Sequence, residues 1–209
     1  TIQTATAFGD VSGSGRFNVG GLVGFADNQS DIQNVTASGD VDGPDLVGGL
    51  VGQSRGTITD ATASGDVSGG NSTGGLVGFV DETSTVQQTT ASGSVNGLSA
   101  VGGLTGQNRG TIQTAKASGD VTGTGIFNVG GLVGFADINS TTQNVTASGN
   151  VNGPSRDDSD CDSVWGCRRS ECNWWTGRIQ RWGDCKRESL WKCERGSSSR
   201  WTCRESYIY

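Results

Sequence analysis

The sequence repeats one short word. VGGLVG stands at 19–24 and 47–52, returns as TGGLVG at 73–78 and VGGLTG at 101–106, and is VGGLVG again at 129–134. Its glycine pairs begin at Gly20, Gly48, Gly74, Gly102 and Gly130, in steps of 28, 26, 28 and 28 residues. A second word alternates with it: AFGDV at 7–11, ASGDV at 37–41, 63–67 and 117–121, ASGSV at 91–95 and ASGNV at 147–151. Residues 1–44 and 111–154 also match at 33 of 44 positions. A fixed period of this length means that each unit is one supersecondary element, stable only when stacked on its neighbours.

The local pattern says which element. Runs such as TIQTATA alternate Thr with Ile, Val or Ala and end at Ser-Gly, the signature of a strand closed by a turn, and VGGLVGF reads as a second short strand. With 36 glycines, 32% hydrophobic residues and 7% aromatics, no single unit can bury a core. Stacking makes Leu22, Val23, Phe25, Val35, Val41 and their equivalents into a continuous apolar column. The expected fold for 1–154 is therefore all-β: a β-solenoid with coils of about 28 residues and two or three short strands in each. A β-sandwich or a propeller is the alternative, since repeats of this length can also pair as hairpins.

The GGLVGF and GGLVGQ words, each following an ASGDV unit, resemble the GLUG motif, named for Gly-Leu-hydrophobic-Gly and found in tandem in large bacterial and archaeal surface proteins, adhesins among them. The resemblance covers 1–154. It implies a non-enzymatic, extracellular or cell-surface segment, a structural stalk or adhesive surface. Its partners would be a cell-surface, glycan or protein ligand and the neighbouring repeats of a longer parent chain. No catalytic set and no cofactor come with it.

The chemistry of the residues agrees with that expectation. There is no histidine, which removes imidazole catalysis and zinc–histidine sites. The net charge of −6 argues against nucleic acid, which requires clustered Lys and Arg. Before residue 155 the only bases are Arg16, Arg55, Arg109 and Lys116, scattered among 12 acids, so a groove for polysaccharide cleavage is not expected. No stretch approaches the roughly 20 apolar residues of a membrane span. Asp10, Asp40, Asp66 and Asp120 recur in the SGDV turn. A calcium row is one reading, but Ser94 and Asn150 interrupt it, and a solvated turn is the better one.

Five Asn-x-Ser/Thr sequons, at Asn28, Asn34, Asn71, Asn139 and Asn144, are candidate glycan acceptors, although a Ser/Thr-rich chain produces sequons by chance. The Thr of TIQTATA, TITDATA and TIQTAKA would line one flat solenoid face, the kind of surface that binds ice, with Asp60 and Lys116 interrupting it. Ice or polysaccharide binding is thus the alternative function.

From 155 to 209 the composition changes. Every cysteine (161, 167, 172, 185, 193, 203) and every tryptophan lies there, and no Gly-Gly-Leu word does. Six cysteines in so short a span read as a disulfide-stapled binding domain. A second reading is sharper. Permitted codons for NWWTGRIQR, read one base later, give TGGLVGFN, and RWTCR gives GGLAG at repeat spacing. On this reading the tail is repeat DNA translated out of frame, expected to be irregular or poorly ordered, with its cysteines unpaired or arbitrarily paired.

Overall fold

A computed structural model describes residues 1–125, 128–153, 190–195 and 201–206, the last two stretches by backbone alone. Residues 1–125 and 128–153 form a stack of coils in which every strand pairs in parallel with its equivalent one turn away. Coils begin at 1, 31, 57, 85, 111 and 141, so the five complete ones hold 30, 26, 28, 26 and 30 residues. This is a β-solenoid. The parallel pairing of equivalents excludes the sandwich and propeller alternatives, which need antiparallel neighbours.

Each complete coil contributes to four parallel sheets, more than the two or three strands the sequence suggests. Sheet A holds the long strands Asp31–Ala37, Thr57–Ala63, Thr85–Ala91 and Thr111–Ala117, flanked by shorter ones in the first and last coils. Sheet B is built on Val11–Ser12, Val41–Asp42, Val67–Ser68, Val95–Gly97, Val121–Gly123 and Val151–Asn152. The GGL word, read as one strand, is two: sheet C (for example Asp45–Gly48) and sheet D (Val51–Ser54), with a corner between them. The corner needs its glycines. A Cβ on Gly49 would meet the carbonyl oxygen of Gly75 in the next coil, and one on Gly48 the backbone of Val51 and Gly78.

At that corner the leucines form their own ladder. The N–H of Leu50 donates to the carbonyl of Leu76 at 2.9 Å, and that of Leu76 to Leu104 at 2.8 Å. Leu50, Leu76, Leu104 and Leu132 are buried, and Leu22 in the first coil is half-buried against the same cluster. The larger core lies between this corner and sheet A, with Ile32, Ile58, Val86 and Ile112 opposite. A second column, Val41, Val67, Val95 and Val121 against Val47 and Val101, fills the space between sheets B and C. Phe25, expected in the core, instead points outward and is 41% exposed.

Sheet A departs from strict alternation. Thr4, Asn34, Asp60, Gln88, Thr114 and Asn144, one per coil, have φ between 51° and 56°. The left-handed residue shifts the phase by one: Ile58 points in, Thr59 and Asp60 both face out, and Ala61 and Ala63 point in. The Thr face is therefore interrupted at its middle and is not one flat period-two array. A second left-handed row, Asn18, Leu46, Ser72, Ala100 and Asn128, runs along sheet C.

In the separate C-terminal unit, Leu190–Arg195 and Trp201–Ser206 pair antiparallel, with Cys193 opposite Cys203 in the register. The expectations for the rest of the tail, including Cys161, Cys167, Cys172 and Cys185, lie outside the described residues. Among the described residues no helix is long and apolar enough to cross a membrane.

Candidate functional site

The outward surface of the coil stack is a set of ladders. On sheet A, Gln3, Gln33, Thr59, Gln87, Gln113 and Gln143 lie in register, as do Thr6, Thr36, Thr62, Thr90, Lys116 and Thr146. Parallel strands lie about 4.8 Å apart, so each ladder repeats one polar group at that spacing. Side chains here have no covalent chemistry of their own; what they offer is an ordered row of donors and acceptors.

The SGDV aspartates sit at the turn between sheets A and B and are exposed. Each carboxylate accepts the backbone N–H of its equivalent in the next coil: Asp10 from Asp40 at 2.9 Å, Asp40 from Asp66 at 2.8 Å, Asp66 from Ser94 at 2.8 Å and Asp120 from Asn150 at 2.8 Å. The turn reading thus gains a purpose that sequence reasoning missed. These N–H groups fall outside the strands, and the Asp side chain supplies the acceptor there. Among the described residues no group of three or more acidic or cysteine side chains is arranged to hold a metal ion.

The corner between sheets D and A carries both ion pairs found among the described residues. Arg55 and Arg109, scattered in the sequence, occupy equivalent places two coils apart. The guanidinium of Arg55 lies 5.3 Å from the ring centre of Phe25 in the coil before, and its Nε donates to Asp81 Oδ2 in the coil after at 2.8 Å. Arg109 stands 5.2 Å over Phe79 and 3.4 Å from Asp137 Oδ2, an ion pair without hydrogen-bond geometry. Each arginine therefore spans three coils. Burial pushes the Asp81 carboxyl up, but the hydrogen bond from Arg55, the N–H of Glu82, the charge of Arg55 and the Gln53 amide outweigh it and hold the group below its ordinary value. Spacings of 26, 28 and 30 residues between the partners hid this set; only the alternation of GF with GQ after each Leu-x word signalled it.

All five sequon asparagines are exposed, and the fold does not bring them together. Asn28 and Asn139 lie on four-residue turns at the D–A corner, in the first and fifth coils. Asn34 and Asn144 occupy the left-handed position of sheet A, with φ of 51° and 54°, a conformation that favours Asn on backbone grounds alone. Asn71 opens a strand of sheet C and donates through Nδ2 to Asp45 Oδ1 at 3.0 Å.

The model of the Glug family, described as the GLUG motif, matches residues 15–42, 43–68 and 125–152. No curated protein and no solved structure matches the chain. The matched segments run from the loop before sheet C, through the Leu corner and sheet A, to the end of sheet B, so each holds one full circuit of the coil.

Proposed function

We propose, from the premise that this chain is a GLUG-motif repeat protein, that it is a non-enzymatic segment of an extracellular surface protein and works by displaying a repeated polar face to a glycan or protein ligand. The carrying observation is the register of sheet A, where Gln and Thr rows recur coil after coil. A ligand with its own repeat, such as a polysaccharide, can meet many weak donors and acceptors at once, and the affinities multiply through effective concentration.

Display is favoured over reach by simple geometry. A coil of about 28 residues advances the stack by only about 4.8 Å, a costly way to span distance but an efficient way to build a rigid, dense surface. Charge supports an uncharged or cationic ligand over a polyanion, given the net −6.

The test has two arms. Antibodies against the full chain are applied to intact and to permeabilised source cells; labelling of intact cells is expected, and labelling only after permeabilisation overturns the surface assignment. The purified full chain is then screened against immobilised polysaccharides and host-cell surfaces, with thermal hysteresis measured alongside. Binding that falls when Gln87 and Gln113 are replaced by Ala supports the display face. Thermal hysteresis without glycan or protein binding assigns the face to ice instead.

A further inference from the structure

The coils are of two kinds, and they alternate. In the first, third and fifth, sheet D ends in Phe25, Phe79 or Phe135 followed by Ala26, Val80 or Ala136, and the connection to sheet A is a four-residue turn opened by Asp27, Asp81 or Asp137. That turn is closed by an N–H···O bond from Ser30, Ser84 or Ser140 back to the aspartate carbonyl, at 2.8–3.0 Å. In the second and fourth coils the same places hold Gln53 or Gln107, then Ser54 or Asn108, and the connection is only Arg-Gly, at 55–56 and 109–110.

Four rows therefore alternate in register along the stack: Phe with Gln, apolar with polar, acid with base, and long turn with short. The charge row runs Asp27, Arg55, Asp81, Arg109, Asp137. A buried hydroxyl also bonds between unlike coils: Ser84 Oγ donates to the Gly56 carbonyl at 2.9 Å, with Ser54 Oγ 3.0 Å away.

We infer that the building unit of this protein is a pair of coils, and that the D–A corner is a recognition device allowing a coil to stack only on one of the other kind. The backbone alone does not enforce this, because all coils offer the same parallel edges and a slip by one would preserve every sheet. At the corner the slip sets Arg against Arg and Asp against Asp, strips Phe of its guanidinium and lays one four-residue turn on another. Such a device counters the main hazard of near-identical repeats, pairing out of register. The sequence carries an independent mark of it. The close duplication relates 1–44 to 111–154, a displacement of four coils, and an even number keeps the alternation intact.

Two deletions in the full chain separate this rule from ordinary length dependence. Removing 57–84 takes out one coil and brings Arg55 next to Arg109; removing 57–110 takes out two and brings Arg55 next to Asp137. Stability that follows length alone puts the larger deletion lower in urea midpoint. The pairing rule puts it higher, with the one-coil deletion misfolded or multistate. Should neither deletion fold, Arg55→Gln and Arg55→Asp in the intact chain decide: at low salt R55D, which stacks three carboxylates, unfolds at lower urea than R55Q, and the gap closes in about 1 M salt, where the Debye length is about 3 Å. Equal midpoints for R55D and R55Q, or a one-coil deletion that is two-state and more stable than the two-coil one, overturn the inference.

Discussion

The backbone N–H of Asp66 donates to Oδ1 of Asp40, at 2.8 Å, across one turn of the coil. The bond lies in a turn, where the parallel ladders have lapsed and the next coil would otherwise leave a donor to solvent. Inside the stack the row lacks its acceptor at Ser94, and Asn150 takes the acid's place in the last coil. Replacing Ser94 by Asn restores a side-chain carbonyl there without adding a charge between Asp66 and Asp120. S94N is expected to raise stability by about 0.5–1 kcal/mol, and D66A to lower it by about 0.5–1.5 kcal/mol, the net worth of one hydrogen bond, in urea unfolding.

Leu76 is fully buried at the centre of the leucine ladder, whereas Leu22 at the first coil is half-buried. Truncating Leu76 leaves a cavity that the glycine corner cannot collapse into, since neighbouring backbones already touch. L76A is expected to cost about 2–5 kcal/mol, and L22A distinctly less. Equal losses would mean that the leucines do not share one continuous core.

Thr89 lies in the inward row of Val35, Ala61 and Ala115, is 2% exposed, and its Oγ1 has no hydrogen-bond partner. Thr73 and Thr105 also stand at valine positions, but each donates to a carbonyl, of Gly70 and Gln107, both at 3.2 Å. Thr89 alone among the three carries the full desolvation cost. T89V keeps the shape and removes the orphan, so the urea midpoint should rise, by about 1 kcal/mol in stability; T105V, which discards a made bond, should gain less.

These cases mark what the sequence discloses. The period, the parallel stack and the leucine column were legible because they rest on residues that recur at the coil spacing. The phase shift in sheet A was present but disguised: Ile at the second position and Ala at the fifth and seventh cannot share a face under strict alternation, which already demands one extra residue between them. Leu46 and Ala100, left-handed at φ of 51° and 50°, carry no turn signature at all. The Arg55 set was invisible to a one-coil period, since its logic repeats every second coil and its partners lie in different units.

Asp81 links stability to pH. Its folded pKa is lowered from the ordinary 3.8, so it contributes stability above the unfolded value, and that contribution disappears as pH falls through the lower folded value. The pair with Arg55 is partly solvent-screened and is worth about 0.2–1 kcal/mol. The stability difference between the wild type and D81N should therefore be flat from neutral pH to about pH 5 and shrink below 3.8. A difference that grows on acidification would reverse the sign and remove the ion pair as its cause.

Thr114 occupies the left-handed position of sheet A at φ of 52°, in the place held by Asn34 and Asn144 in other coils. Left-handed backbone costs an ordinary L-residue about 1–2 kcal/mol, and Asn, whose short amide bonds locally, bears it best, while a β-branched side chain bears it worst. Thr114 is exposed, so its replacement forfeits no packing. T114N is thus expected to stabilise the chain by about 1 kcal/mol, and the reciprocal N34T to destabilise it by a similar amount. Because the two substitutions exchange the same pair of residues at equivalent backbone positions, their effects should cancel in the double variant. If both single changes were neutral, the phase shift of sheet A would be set by the inward residues Ile112 and Ala115 and not by the left-handed residue between them.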